Sequence, residues 1–227
     1  MRINLPITKR RIRNHFHYSF WKYLLLIAIA FFGWNLIFTT TRYRPPENAK
    51  VEFVAEGYAM NSDALKSLAD EIHAAVLPEM EEVTATIVSF DNQYGDMQLV
   101  VWVSAAQGDV YLIDQARFKS IADSSGTLPL SPYVENGMLH VDGIDLAKGF
   151  SVDTETGVES LMGIPADSLV KLQDYGVATD NMVLCILANG GNDENSIRFL
   201  NYLLENMQTE TSTPDVADTA DVAVPAQ

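Results

Sequence analysis

The run Trp21–Phe38, WKYLLLIAIAFFGWNLIF, constrains this chain more than any other stretch, because no charge falls between Lys22 and Arg42. An apolar helix of that length crosses a hydrocarbon core of about 30 Å at 1.5 Å per residue. It also divides the charge. Eight bases and no acid occur up to Arg44, and all 30 acids follow with seven bases, so the part beyond carries −23. A domain of that sign repels nucleic acid and anionic lipid. It tolerates cations or a basic partner, though a solubilising surface accounts for the same charge.

Lys9, Arg10, Arg11 and Arg13 precede the apolar run. The bias of basic residues toward the cytoplasmic side predicts an N-terminus inside and a C-terminal part outside a bacterial cell membrane. Trp21, Tyr23, Trp34 and Tyr43 suit the two interfaces. No small-x-small cleavage pattern follows Phe38, where the chain reads Thr39, Thr40, Thr41, Arg42, and no cysteine follows that would take a lipid. The expected organisation is a basic cytoplasmic segment 1–20, an uncleaved signal anchor 21–40 and a linker 41–50. An extracytoplasmic domain 51–207 and a disordered acidic tail 208–227 complete it. Pro45 and Pro46 stiffen the linker.

Within 51–207 the patterns alternate between strand and helix. VEFVAEGY from Val51 reads as a strand ending at a Gly turn. Leu65, Leu68, Ala69, Ile72 and Val76 recur at helical spacing after a cap at Asn61 or Ser62, and Pro78 ends that helix. Glu82–Phe90 is a β-branched strand. Residues 97–107 are ambiguous, since VVWV favours a strand while Leu99, Trp102, Val103 and Ala106 form a helical stripe. Asp109–Ile113 is a short buried strand, and Gln115–Ala122 a helix with Phe118 and Ile121 inward. Tyr133–Val152 reads as a small hairpin broken by Gly137, Gly143 and Gly149, and Gly163–Pro165 as the start of a loop and short helix. Met182–Ala188 is a strand apolar on both faces, followed by a turn and a last helix capped at Asn192 or Asp193. The alternation predicts an α/β fold, a mostly parallel sheet with helices on both faces, preceded by one transmembrane helix.

The chemistry searched for is sparse. Cys185 sits alone in MVLCIL and reads as a buried small hydrophobe. His15 and His17 read as interfacial polar groups, and His73 and His140 have no nucleophile pattern such as G-x-S-x-G beside them. Gly190-Gly191 lacks a dinucleotide or P-loop pattern. Asp91, Asn92 and Asp96 resemble part of a calcium loop, but the ligand spacing and closing Glu are missing. Carboxylate pairs such as Asp142 and Asp145 are abundant in any acidic domain and single out nothing. No enzymatic activity, cofactor or metal is expected.

The segment VSAAQGDVYLIDQARFKSIADSSGTLPLSPYV resembles one of the extracellular solute-binding proteins of ABC importers, which have the periplasmic-binding-protein-like type II fold. The matching positions are Ala105, Ala106, Gly108, Asp109, Val110–Ile113, Phe118, Ala122, Gly126, Leu128 and Leu130. Gly163–Pro165 is a second similarity, and Ala188, Asn189, Asn192, Glu194, Ser196, Phe199 and Leu203 a third, so that the resemblance runs loosely from Val51 to Glu205. It implies a helix at 97–107. It also marks a departure: the span from Leu130 to Gly163 is too short for a second lobe. The resemblance therefore implies one lobe of such a protein, a membrane-anchored interaction module docking an envelope or transporter partner. The alternative is a receptor for a small solute or cation at the carboxyl ends of the strands. On the strand assignment those ends offer Tyr58, Asp91, Tyr94, Asp114 and Asn189. The oligomeric state is left open.

Overall fold

A computed structural model describes residues 9–43, 45–57, 62–90, 94–152, 157–188 and 191–208. The expected disordered tail lies almost wholly outside them. The chain divides into two units, residues 1–44 and 45–227.

The first unit is a single helix, α1, Lys9–Thr41. It begins among the basic residues rather than at Trp21, so the expected basic segment supplies its first turns. Within it, His17–Thr41 is long and apolar enough to cross a membrane. Its large apolar side chains, from Leu24 through Phe38, are exposed on all sides. At its end Thr40 and Thr41 turn their hydroxyls back to the carbonyls of Leu36 (2.8 Å) and Ile37 (2.6 Å). That satisfies polar groups that an apolar solvent would leave bare.

In the second unit a turn at Glu47–Ala49 leads into β1, Lys50–Glu56. α2, Ser62–Val76, then β2, Glu82–Val88, and α3, Gly95–Ser104, follow. Next come β3, Val110–Asp114, and α4, Gln115–Ala122. After α5, Ser131–Glu135, a small hairpin forms from β4, Phe150–Val152, and β5, Glu159–Leu161. β6, Ile164–Pro165, a 3-10 helix, Val170–Tyr175, β7, Met182–Ile186, and α6, Asp193–Asn206, follow.

The main sheet has the order β2-β1-β3-β7-β6. β1 is parallel to both β2 and β3, while β7 runs antiparallel to β3 and to β6. The expected mostly parallel sheet with helices on both faces is therefore present, with β7 the one reversed strand. Alternation builds the two faces. Val51, Phe53, Ala55, Val110, Leu112, Leu184 and Ile186 point toward α2 and α6, where Leu65, Leu68, Ile72, Phe199 and Leu203 meet them. Val54, Tyr111, Ile113, Val183 and Cys185 point the other way, onto Leu99 of α3 and Phe118 and Ile121 of α4. Cys185 is fully buried, and burial pushes its thiol up to about 12.

Residues 97–107 are helical through Ser104, as the resemblance implies and against the strand propensity of VVWV; Leu99 anchors the segment on the sheet. Two expectations need correction. The hairpin lies only partly in Tyr133–Val152. Pro132, in the first turn of α5, favours helix at the start of that span, and only β4 falls inside it, pairing with β5 beyond. Gly163–Pro165 opens with the edge strand β6, since Ile164 pairs with Leu184 and is fully buried, and the expected loop and short helix follow, the helix as a 3-10 helix over Val170–Tyr175.

Gly149 fixes how the hairpin meets this sheet. A Cβ on it would stand 2.0 Å from the carbonyl oxygen of Gly163, whose N–H donates back to the Gly149 carbonyl at 3.1 Å. Gly149→Ala is expected to lower unfolding stability by about 1–3 kcal/mol, measured by denaturant titration, because backbone must move to admit one methyl group.

Candidate functional site

The parallel strands β1, β2 and β3 end on the same side of the sheet, and a polar cluster gathers there. Glu56 is the last residue of β1 and is almost fully buried. Its Oε2 accepts the Asp114 N–H at 2.9 Å, and its Oε1 is ion-paired with Arg117 of α4. The same guanidinium donates from Nε to Asp96 of α3 at 2.8 Å and from Nη2 to the Phe90 carbonyl at 3.2 Å. Its carbon lies 5.9 Å from the Phe90 ring centroid, a cation–π arrangement. One cation therefore joins the ends of β1, the segment after β2 and the starts of α3 and α4.

A second chain of contacts continues from Asp114. Its Oδ1 accepts the Ala116 N–H at 2.8 Å as the N-cap of α4, and its Oδ2 accepts from the Asn181 side chain at 3.2 Å. Asn181 has a left-handed φ of 58° and donates its own N–H to Asp167 at 3.0 Å. Lys148 pairs with Asp167 at 2.9 Å. Burial raises the Asp167 carboxyl, but the Asn181 N–H and the Lys148 ammonium outweigh it, leaving the group below its usual range.

Of the five residues expected at the strand ends, Tyr58, Asp91 and Asn189 lie outside the described residues. Tyr94 immediately precedes α3 and is exposed. Asp114 is at the predicted place, but its carboxylate holds a helix start and Asn181. Because β7 is reversed, Ile186 sits opposite Val110 at the amino end of β3. The carboxyl end of β7 therefore lies at the edge of the sheet opposite the carboxyl ends of β1, β2 and β3. Among the described residues no three His, Cys, Asp or Glu side chains form a metal-holding group.

Sequence reading missed Glu56, Arg117 and Asp167. A signal for the first pair existed. An acid closing a buried strand needs a cation, and only seven bases follow Arg44.

The opposite end of β1 carries a different arrangement. Asp109 is buried, and its Oδ2 accepts the Glu52 N–H at 2.7 Å. Glu52 accepts from the Gly108 N–H at 3.2 Å, and Lys50 bonds Glu52 and Glu47, each at 3.0 Å. No cation touches Asp109 directly among the described residues. Burial pushes its carboxyl up to about 7, against the pull of the Glu52 N–H and with a further push from the Glu52 charge.

A recess of about 360 Å³ lies elsewhere, lined by His140, Asp142, Leu204, Glu205 and Gln208. None of the expected site residues lines it. His140 Nδ1 and Glu205 Oε1 meet there at 3.0 Å. Its mouth is open to solvent, and its groups are tied to α6 through the His140 N–H bond to Asn201 at 2.9 Å.

No family model and no curated protein matches the chain. Among solved structures it is similar to an extracellular solute-binding protein family 1 from Alicyclobacillus acidocaldarius, at 16% identity and a TM-score of 0.41 over 55% of this chain and 29% of that one. A designed esterase matches at 18% identity and a TM-score of 0.41, over 52% of this chain and 28% of that one. Maltose-bound MalE3 from T. maritima matches at 19% identity and a TM-score of 0.35, over 56% of this chain and 33% of that one. The chain thus spans a third or less of the structures it resembles.

Two variants test the electrostatics. Arg117→Met leaves Glu56 buried without a counter-charge and is expected to cost about 2–4 kcal/mol in denaturant unfolding. For Asp109 the folded carboxyl lies near 7 against 3.8 unfolded, so its protonated form is favoured on folding. That contribution is fully present below about pH 4 and is lost as pH rises through about 7. Asp109→Asn is expected to flatten this slope, matching the parent near pH 4 and exceeding it by on the order of 1–3 kcal/mol at pH 8.

Proposed function

We propose that this chain is a membrane-anchored, extracytoplasmic binding module that docks an envelope or transporter protein and catalyses no reaction. α1 is the anchor in this reading, with the basic residues 9–13 on the cytoplasmic side and the acidic α/β domain outside. The exposed apolar belt of α1 suits lipid, and the charge order along the chain suits that direction of insertion.

The observation that carries the docking role is the outer face of α3. Met97, Val100 and Val101 are 66%, 62% and 61% exposed on a helix whose inner side, Leu99, is already packed. The one charged residue of α3, Asp96, is engaged with Arg117. Beside it, the polar groups at the strand ends bond mainly to one another. Among the described residues the surface left for a partner is thus mainly apolar, with the Asp96 carboxylate at its edge paired to Arg117, a composition nearer an interface core than a polar ligand cleft.

A photo-crosslinking residue at Met97 or Val101, in the full chain in native membranes, is expected to give a discrete adduct with a second envelope protein. The adduct should be lost in Val100→Glu and absent when the probe replaces Asp70 of α2. No adduct at either α3 position, or one equal to that from position 70, contradicts the docking role.

A further inference from the structure

We infer that α1 carries a self-pairing seam: two copies of this chain join as parallel helices, with their Asn35 side chains hydrogen-bonded to each other inside the membrane. This rests on the anchor role proposed for α1 and is independent of the α3 reading.

Asn35 is the only carboxamide between His17 and Thr41, and it is exposed. The three threonines after it are satisfied within the helix. Thr39 donates to the Asn35 carbonyl at 2.9 Å, Thr40 to that of Leu36 at 2.8 Å and Thr41 to that of Ile37 at 2.6 Å. Among the described residues the Asn35 carboxamide itself makes no hydrogen bond. Its N–H donors and its carbonyl oxygen are thus unmatched, and hydrocarbon holds no water to meet them. The outer interface does not relieve them either. Thr39 stands a full turn, about 6 Å, further along the helix. The Cα–Cβ bonds of a helix tilt toward its N-terminus, so the carboxamide is directed back toward the turn of Phe31 and Phe32. Those side chains are exposed rings with no carbonyl or hydroxyl to offer.

A second copy answers this need. A carboxamide both donates and accepts, so two Asn35 side chains about a two-fold axis along the membrane normal satisfy one another. Lys9, Arg10, Arg11 and Arg13 orient every copy alike, and Trp21, Tyr23 and Tyr43 hold every copy at one depth. Parallel direction and equal depth are therefore automatic for a second copy, whereas a foreign helix needs a polar group of its own at that level. The neighbours of Asn35 at heptad spacing are Trp21, Leu24, Ala28, Phe31 and Phe38. None of them is charged, and Ala28 lets the two backbones approach. Ala30 and Gly33 fall on the far side of the helix. A lone asparagine on such a seam fixes register and the number of helices in coiled coils. The like-charged ends of two copies oppose the pairing, but at physiological salt that repulsion is screened beyond about 8 Å.

Copper-catalysed disulfide formation in the full chain, in native membranes, reads the seam. Ala28→Cys and Phe31→Cys are each expected to give about five-fold or more covalent dimer than Ala30→Cys and Gly33→Cys. Cys185 is buried and does not contribute. By sedimentation of the full chain in detergent, Asn35→Leu is expected to lower the dimer association constant by about 3- to 20-fold. Asn35→Gln keeps a donor and an acceptor and should retain most of it. Alkaline carbonate extraction of the same variants separates the pairing from the anchor. Retained chains that crosslink equally on all sides of α1, or a dimer indifferent to Asn35→Leu, overturn the pairing and leave the anchor standing. Release by carbonate overturns both. A retained chain that forms adducts at positions 28 and 31 with a different protein, and no dimer, assigns the seam to a foreign helix and overturns the inference.

Discussion

Arg117 is the contact on which the arrangement of the domain depends. Three acceptors from separate parts of the chain converge on it: the Glu56 carboxylate, the Asp96 carboxylate and the Phe90 carbonyl. Each belongs to a different connection across the ends of the parallel strands. Glu56 is buried, and the guanidinium is the counter-charge paired with it. The guanidinium offers several donors in a fixed plane, which a lysine at this place would not reproduce. Fixing α3 against α4 in this way also fixes which side of α3 faces outward, and so determines that Met97, Val100 and Val101 meet solvent.

The two ends of β1 solve the same problem in opposite ways. At the carboxyl end a buried acid is matched by a cation. At the amino end Asp109 is buried without one, and its carboxyl rises toward neutral pH. The second end thus carries a carboxyl that titrates near neutral pH. Lys50 links the amino end to Glu47 in the turn that enters the domain, and Asn192 donates to the Lys50 carbonyl at 2.6 Å from the start of α6. The entry to the domain is thus tied to its last helix.

Most of the fold was legible because burial enforces periodicity. α4 falls on Gln115–Ala122 as read, and α2, β2, β7 and α6 lie within two residues of their predicted bounds, since each presents a clear apolar face. α3 was not legible from its own residues. It is apolar on both sides, so strand and helix templates fit it equally, and only tertiary packing decides. The hairpin was misplaced because glycines mark turns without saying which flanking segments pair. The candidate site was less legible still. Asp114 stands where the strand assignment puts it, yet its role depends on Asn181, 67 residues away. Arg117, inside QARFKS, looks like any surface helix residue. The reversal of β7, which puts its carboxyl end beside the amino end of β3, has no local signature at all.

Everything proposed for function presumes that α1 is held in a membrane with the acidic domain outside. Protease added to intact cells, followed by immunoblotting of an N-terminal and a C-terminal epitope after alkaline carbonate extraction, tests this most directly. The account predicts a membrane-retained N-terminal fragment of protected basic end and α1, with the C-terminal epitope lost. A C-terminal domain left intact while the basic end is clipped, or a chain released by carbonate, contradicts it.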